Sequence, residues 1–377
     1  MADTFSKSSS APSVYLQVAD KICKSIVTGE LAENDRLPTE SQFAEQIGVN
    51  RLTVSRGYGA LRQRGIITQR RGQGSFVSPD AARLLGLPPR RRLRNVAFVL
   101  QSNRLTDIPA HSQVGVLDLL FGVSQRFEGL AINVCHVSLT NTDAVDPKWV
   151  ERFDAFISVD RWGATDALIE QARELDRPCV IALPKQLDWT DLDGVPLIGY
   201  DRHAATQLAM NHLIDSGYRR IACIGVKQGL EPPTKTEAFH AIMQKHRLDV
   251  PACWSIHAGA EIGSAYHAIR HLLNNKQPLP QAIFADTDYK ALETIAALQA
   301  AGLNVPEDIA ICGYDNIADG ATSTPALTTI QTPRREAGYR AADMLLNWLP
   351  HQPTPGNVVL PSQLIVRQTT PRITPEK

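Results

Sequence analysis

The chain has 377 residues, of which 43% are hydrophobic and 21% are charged, and its formal net charge is zero. This length and composition are typical of two or three globular units. No apolar run reaches the roughly 18–20 residues that a membrane-spanning helix needs, and the polar first ten residues lack the apolar core of a secretory signal. We therefore expect a cytoplasmic protein without a membrane partner.

The charge is distributed unevenly along the chain. Residues 1–94 contain 15 Lys and Arg against 8 Asp and Glu, a balance of +7, whereas residues 95–377 contain 24 against 31, a balance of −7. A basic head on an acidic body is typical of a protein whose head binds a polyanion. Chance clustering gives the same asymmetry, so the motifs must decide between these interpretations.

Three helices are predicted in the head. An apolar stripe at four-residue spacing predicts a helix over residues 14–28. Thr39 is a good N-cap for a second, short helix, Gln42 completes a capping box, and Gly48 ends the helix. Asn50 is the predicted N-cap of a third helix that runs from Arg51 to about residue 64.

The outer face of the third helix is basic. Arg51, Ser55 and Arg62 lie on this face, and Thr53 and Arg56 flank it. Two helices joined by a tight glycine turn, the second of them basic outside, fit the major groove of DNA. Two strand-like runs, residues 66–69 and 75–77, then enclose a tip of residues 70–74 that is basic and rich in glycine. This pattern predicts a hairpin wing.

The segment from residue 14 to about residue 78 resembles the GntR family of winged-helix regulators. The resemblance rests on three stretches, "GELAENDRLPTE", "FAEQIGVNRLTVSRGYGALRQRGII" and "RRGQGSFV". It implies a winged helix-turn-helix, mainly α with a β-wing, over residues 11–79, with double-stranded operator DNA as its partner. The DNA contacts that it implies are Thr39, Ser41, Asn50, Arg51, Thr53, Ser55, Arg71 and Gly72.

Two of these positions depart from the pattern of some family members. Ser41 and Ser55 stand where those members have arginine. Serine contacts a phosphate but cannot pair with guanine through two hydrogen bonds, so the family's sequence preference does not transfer. Arg56 is a candidate to replace the lost charge, and it completes the predicted DNA-binding set.

Residues 80–94 are predicted to be a linker. Pro88 and Pro89 stiffen this segment, and residues 90–92 form an arginine run. Such a charge run is usually a solvated linker, and an arm that contacts the DNA backbone is the alternative.

From residue 95 onwards, short apolar strands alternate with amphipathic helices. The predicted strands are residues 96–100, 132–137, 155–159, 179–183, 221–224, 282–285 and 309–312. This rhythm predicts parallel sheets covered on both faces, and about 280 residues suffice for two lobes. Ligands of such folds bind at the carboxyl ends of the strands.

The body resembles the sensor domain of the LacI/GalR repressor family. The resemblance rests on "IGYDRHAATQLAMNHLIDSGYRRIACIG", "AIFADTDYKALETIAALQAAGLNVPEDIAICGYDNI" and "PALTTIQTPRREAGYRAADMLL". It implies a two-lobed α/β fold of periplasmic-binding-protein-like type I over residues 95–377. Lobe one is expected at about 95–198 plus 331–360, and lobe two at about 199–330 plus 361–370. A GntR-type head on this body resembles the arabinose-repressor type of regulator, which implies an effector that is a sugar, a sugar phosphate or a sugar acid.

Effector-binding residues follow from this resemblance. Asp315 is the strand-end aspartate of "GYDN", and Lys235 falls near a common arginine. Of the family's Asn-Asp pair, the Asp is kept as Asp288 and the Asn is replaced by Thr287. An aromatic residue common in the family is missing near Ala260. Ser102, Asn103 and Arg161 are assigned by position only, at the ends of the first and third strands. The alternatives are that Asp288 caps a helix and that Asp315 caps a turn.

Neither a metal nor a cofactor is expected. His267 and His271 have a spacing that suits a metal ion, but no Cys or carboxylate partner lies nearby in sequence, which favours an exposed helix face. No P-loop, GxSxG or CxxC motif is present, and the six scattered cysteines indicate reduced, mostly buried thiols.

Three functions stay open from the sequence. The first is an effector-controlled transcriptional repressor that binds a pseudo-palindromic site as a homodimer and is not an enzyme. The second is a cytosolic α/β binding protein or enzyme with a basic accessory domain. The third joins the head to an aminotransferase-like body that binds pyridoxal phosphate, for which the body is short.

Overall fold

The computed structural model describes residues 13–28, 31, 33–70, 72–86, 93–101, 110–139, 145–160, 163–184, 194–225, 235–259, 261–348 and 355–373. These residues fall into two compact units, one formed mainly by residues before Leu93 and the other by most residues from Leu93 onwards. None of the helices in the described part of the chain is long and apolar enough to cross a membrane.

The first unit is a three-helix bundle with a hairpin. Its elements are α1 (Val14–Thr28), α2 (Glu40–Ile47), α3 (Arg51–Gln63), β1 (Ile67–Arg70), β2 (Gly74–Val77) and α4 (Ala81–Leu84). The two strands pair antiparallel, with Ile67 opposite Val77 and Arg70 opposite Gly74. The predicted helices and hairpin are therefore confirmed, with strand bounds shifted by about one residue.

The apolar face of each helix builds the core of this unit. Val18 of α1 and both Val54 and Leu61 of α3 are completely buried. The buried Tyr58 donates a hydrogen bond of 2.9 Å from its hydroxyl to the carbonyl oxygen of Pro38, which ties α3 to the segment before α2. Ala81 belongs to the same core, so part of the predicted linker packs within this unit.

The second unit contains two parallel sheets. The first has six strands in the order β13-β7-β6-β5-β3-β4, and the second has four in the order β11-β10-β8-β9. The strands of the first sheet are β3 (Asn95–Gln101), β4 (Asn133–Leu139), β5 (Ala155–Val159), β6 (Cys179–Ala182), β7 (Leu197–Gly199) and β13 (Val358–Val359). Those of the second are β8 (Ile221–Gly225), β9 (Ser255–His257), β10 (Ala282–Ala285) and β11 (Ala310–Cys312). A separate antiparallel pair joins β12 (Thr329–Gln331) to β14 (Gln363–Ile365).

Helices connect these strands. They are α5 (Ala110–Phe127), α6 (Pro147–Val150), α7 (Gly163–Glu174), α8 (Arg202–Asp215), α9 (Lys235–Lys245), α10 (Ser264–Asn274), α11 (Asp288–Gln299), α12 (Ala318–Thr322) and α13 (Arg334–Leu346). A 3₁₀ turn, Ala252–Trp254, precedes β9.

Both faces of the four-stranded sheet are covered, which explains why its strands are apolar throughout. Cys223 and Phe284 point into one buried cluster, while their neighbours Ile224 and Ile283 point into another on the opposite face. Alternate strand residues face opposite sides of a sheet, so two covered faces require an uninterrupted apolar run. The predicted two-sided parallel sheet is confirmed here.

Helices α5 and α13 cross through two glycines. A Cβ on Gly122 would overlap the carbonyl oxygen of Arg335, and one on Gly338 would overlap that of Leu119. Only glycine permits this approach, because it lacks a Cβ. The crossing fixes the start of α13, where Arg334 enters the polar cluster described below.

Candidate functional site

The starts of α2 and α3 lie close together. Thr39 caps α2 by accepting a hydrogen bond from the amide of Gln42, whose side chain accepts one from the Thr39 amide. Asn50 caps α3 by accepting from the amide of Leu52 at 2.8 Å. Thr39, Ser41 and Asn50 are exposed, so polar residues face solvent at two helix N-termini. Such ends attract phosphate.

Arg51 is the most prominent cation of α3. Its side chain is 71% exposed and lies 3.5 Å from the carboxylate of Glu40. An ion pair this exposed contributes at most about 1 kcal/mol, so the guanidinium is free to exchange its partner for DNA. Arg56 is also exposed, whereas Thr53 and Ser55 are half-buried.

Leu52 is a surface feature that the sequence analysis missed. Its side chain is 72% exposed although it is a large hydrophobe, and it lies beside Arg51 at the start of α3. An apolar side chain here suits contact with the methyl group of thymine in the major groove. Leu52 does not belong to the apolar stripe of α3, and this pattern could have predicted its exposure from the sequence.

One side-chain hydrogen bond links the wing to α3, and a cation–π contact joins its two strands. Arg62 donates to the side chain of Gln69 at 2.8 Å, and Arg70 lies over the ring of Phe76 at 4.4 Å. Gly72 has a φ of 76° at the exposed tip, a conformation that glycine adopts without strain. Arg71 lies outside the described residues, so its part in DNA binding stays a prediction.

The predicted effector residues divide into two groups. Ser102, Asn103 and Arg161 lie outside the described residues, as does Ala260. Thr287 and Asp288 follow β10, Asp315 follows β11, and Lys235 begins α9. The structure brings this second group to the carboxyl ends of neighbouring parallel strands, which is where open α/β sheets bind ligands. Effector contact by each residue stays a prediction.

Asp288 is completely buried and its carboxylate is engaged inside the protein. One oxygen accepts a hydrogen bond from the Thr329 hydroxyl at 2.5 Å, and the other accepts from the Ile317 amide at 2.9 Å. Burial, assisted by the negative charge of Asp315, raises the pKa of Asp288 to about 6. Thr287 caps α11 by accepting from the Lys290 amide. This geometry favours a structural role for both residues.

Asp315 has a strained backbone and a charged partner. Its φ is 124°, and its side chain is only 3% exposed. The carboxylate lies 2.5 Å from the guanidinium of Arg334, the first residue of α13. A non-glycine residue with positive φ at a polar cluster is a mark of functional sites. Arg334 was not predicted from the sequence.

Lys235 lies beside Tyr314. Its ammonium group donates to the backbone carbonyl of Asp286 at 2.5 Å and stands 3.9 Å from the centre of the Tyr314 ring. The Tyr314 hydroxyl is buried, and no described group makes a hydrogen bond with it. Buried hydroxyls are ordinarily hydrogen-bonded, so this one invites an explanation.

Tyr200 and Arg202 complete the cluster and were also missed. Tyr200 follows β7 and is 5% exposed, and Arg202 begins α8. Arg202 donates to the carbonyl oxygen of Pro184, just beyond β6, at 2.7 Å. The signal for both was their place directly after a strand in "LIGYDR".

The described thiols and histidines form no cluster that could hold a metal ion. All six cysteines are free, and each is buried or half-buried. Across the described ranges, no three His, Cys, Asp or Glu side chains gather closely enough to hold a metal ion.

Two families match separate parts of the chain. Residues 14–77 match "Bacterial regulatory proteins, gntR family", and residues 210–370 match "Periplasmic binding protein-like domain". The first covers both helix N-termini and the wing. The second covers Lys235, Asp288, Asp315 and Arg334.

Named relatives match part or nearly all of the chain. The ribose operon repressor of Escherichia coli (strain K12) is 37% identical over 171 residues, which are 45% of this chain and 51% of that protein. The chain thus matches about half the length of that relative. The arabinose metabolism transcriptional repressor of Geobacillus stearothermophilus is 25% identical over 380 residues, covering 95% of this chain and 98% of that protein.

Solved structures share the fold. A LacI family transcriptional regulator from Enterococcus faecium, with bound ribose, superposes with a TM-score of 0.60 at 22% identity and covers 74% of this chain and all of that one. The fold agrees with the two-lobed α/β expectation from the sequence. The chain thus combines a helix-turn-helix unit that is similar to the gntR family over residues 14–77 with an α/β unit that is similar to periplasmic binding protein-like domains over residues 210–370.

Proposed function

We propose that this protein is a transcriptional repressor whose affinity for operator DNA is controlled by a small-molecule effector. The observation that carries the proposal is the presence in one chain of two sites of different chemistry. One is the exposed, basic start of α3 beside a wing, and the other is the buried polar cluster at the strand ends of the sensor unit.

The effector is proposed to be a sugar or a sugar derivative. The relatives named above are repressors of ribose and arabinose systems, and a structure of the same fold contains ribose. Carboxylates and tyrosine hydroxyls at the cluster are suitable partners for hydroxyl groups. We assign no catalytic role to any residue.

We further propose a homodimer that binds two half-sites related by two-fold symmetry. One recognition helix spans only a few base pairs, so specific binding requires two of them. Because DNA is the proposed partner, the cytoplasm is the proposed location.

Effector control is tested on the operator itself. The operator is selected from genomic DNA with the full chain, and the expected footprint is symmetric about a two-fold axis. Adding an effector should change operator affinity by about 5–150-fold, the usual range of allosteric coupling. An asymmetric footprint of one half-site would contradict the dimer, and a basic head that selects no duplex would favour the alternative of an α/β binding protein or enzyme.

Arg51→Ala should weaken operator binding without unfolding the chain. If Arg51 pairs with a guanine, its loss costs about 1–3 kcal/mol and relaxes specificity at that base pair. If it neutralises a phosphate, all sequences weaken alike and the salt slope falls by about one. Fluorescence anisotropy at several salt concentrations measures both quantities.

Arg83→Ala is the matched control for this variant. Arg83 of α4 is similarly exposed, at 74%, and pairs with Asp80 at the N-cap of that helix, away from the start of α3 in sequence. Equal losses in the two variants, or no loss in Arg51→Ala, would reject the assignment of α3 as the recognition helix.

A further inference from the structure

The polar cluster of the sensor unit contains cations that no carboxylate of the described residues neutralises. Arg334 pairs with Asp315, and Lys290 pairs with Asp286 at 2.9 Å. Lys235 and Arg202, in contrast, donate to backbone carbonyl oxygens, and neither makes an ion pair with any described Asp or Glu. A carbonyl dipole compensates a full positive charge only in part, so both cations keep capacity for an anion.

Two further carboxylates among the described residues, Asp288 and Asp118, do not change this balance. Asp288 is occupied by Thr329 and Ile317 and sits beneath the cluster, completely buried. Asp118 interacts with Arg334 and Arg335, and burial raises the pKa of its carboxyl group. Neither carboxylate approaches Lys235 or Arg202 within ion-pair distance.

The pKa of Tyr200 reflects the excess of positive charge in the cluster. Burial by itself would raise the pKa of its phenol, but Arg334, Arg202 and Lys235 outweigh burial and the charge of Asp315, so that the pKa is lowered. Three cations and one carboxylate thus act on one phenol. A cluster with this balance attracts anions.

Tyr314 supplies the second, independent observation. Its side chain is completely buried, its hydroxyl has no hydrogen-bond partner among the described residues, and Lys235 lies against its ring. The charges of Arg202, Asp315 and Arg334 all act on this hydroxyl. A buried hydroxyl costs free energy when left unpaired, and a ligand oxygen that accepts its hydrogen bond removes this cost.

From this arrangement we infer that the effector carries an anionic group, a phosphate or a carboxylate, which Lys235 and Arg202 bind while Tyr314 donates a hydrogen bond to it. The inference rests on the proposed effector control and narrows its ligand class from sugars in general to sugar phosphates or sugar acids. Lys235 and Arg202 begin α9 and α8, so the partial positive charge of two helix N-termini adds to theirs.

Matched ligand pairs test the inference on the full chain. Ribose is compared with ribose 5-phosphate, arabinose with arabinose 5-phosphate, and arabinose with arabinonate, by isothermal titration and by release of operator DNA. We expect at least one anionic member to bind about tenfold or more tightly than its neutral parent, because hydrogen bonds to charged groups are the stronger ones. The phosphate and acid arms distinguish the two anionic groups.

Variants identify the residues. Lys235→Met should lose about tenfold in affinity for the anionic ligand and less than about threefold for the neutral parent, so that the selectivity disappears. Lys245→Met, which removes an exposed lysine from the last turn of the same helix, should keep wild-type selectivity. Thermal unfolding and operator binding check that each variant is folded. The comparison of matched ligand pairs on the wild-type protein does not depend on any variant.

The two hypotheses fail in different ways. Neutral parents that bind as tightly as their anionic partners and still release operator DNA would overturn the anionic inference and leave effector control intact. Equal losses in the two lysine variants would also overturn it. If no ligand of the panel changes operator affinity, the result counts against effector control by sugars and against the inference together.

Discussion

Asp315→Ala is expected to abolish the effector response and to lower stability, while operator binding survives. The Asp315 side chain is 3% exposed and that of Arg334 is 13% exposed, so the variant leaves a guanidinium buried without its counter-ion. Removing one partner of a buried ion pair typically costs about 3–5 kcal/mol. Asp315 thus holds the first residue of α13 in place and, in our proposal, contacts the effector.

A double variant separates these two roles. Asp315→Ala combined with Arg334→Met removes both charges and should recover much of the lost stability, since an apolar replacement of a buried pair is often tolerated. If the pair only orders the start of α13, the double variant regains effector binding with its stability. If Asp315 or Arg334 contacts the effector, stability returns and binding does not.

Calorimetric titration and thermal unfolding of the single and double variants provide both readouts. Operator binding, measured in the absence of effector, is the control that each chain is folded. Wild-type effector affinity in a destabilised Asp315→Ala protein would show that Asp315 caps a turn and has no part in the site.

The sequence predicted the elements with a strong local signal. The apolar stripe of α1, the capping box of α2 and the Asn50 cap of α3 are local signals, and the structure has the helices where those signals placed them. Strands that are buried on both faces were predicted equally well, and β5 and β10 have the predicted bounds. A strand that is buried on both faces requires an unbroken run of apolar residues, which is visible in the sequence.

Several very short strands were missed. The strands β7, β9 and β12–β14 contain two or three residues each, too few for a periodicity to stand out. Their position depends on pairing with distant segments, such as β13 with β7 across about 160 residues. Local pattern carries no information about such partners.

The sequence predicted where the effector site lies, but it did not predict which of its charged side chains are paired. The strand-end positions identified Asp315 and Asp288, but a sequence does not show that Asp288 is enclosed by Thr329 and Ile317. Nor does it show that Arg334, from a different segment, reaches Asp315. Ion pairs between residues far apart in the chain exist only once the fold is formed.

Asp288 gives a prediction in which stability depends on pH. In the folded protein burial raises its pKa to about 6, whereas the ordinary value is 3.8. Between these values the folded state binds the proton more tightly than the unfolded chain does. The free energy of unfolding contributed by this group therefore decreases as pH rises from about 4 to about 6, by about 2–3 kcal/mol in all.

Asp288→Asn should remove this dependence. The asparagine amide carries no charge, and its oxygen still accepts from the Ile317 amide while its NH2 group faces the Thr329 hydroxyl, which can also act as an acceptor. Relative to the wild type, the variant should therefore become more stable as pH rises through this window. Asp288→Ala, in contrast, leaves the Ile317 amide and the Thr329 hydroxyl buried without an acceptor and should be about 2–4 kcal/mol less stable than Asp288→Asn at any pH.

Urea unfolding at pH 4.5 and pH 7.5 measures these differences, and comparison between variants cancels the titration of the other carboxylates. Asp249→Asn, at an exposed position, is the control and should parallel the wild type at both pH values. A difference between Asp288→Asn and the wild type that stays constant with pH would show that Asp288 is not the group that titrates.

Effector affinity in Asp288→Asn should stay within about threefold of the wild type, because the wild-type carboxylate already has two internal partners. A larger loss would mean that Asp288 exchanges those partners for the effector, and the direct contact predicted from the sequence would then be correct.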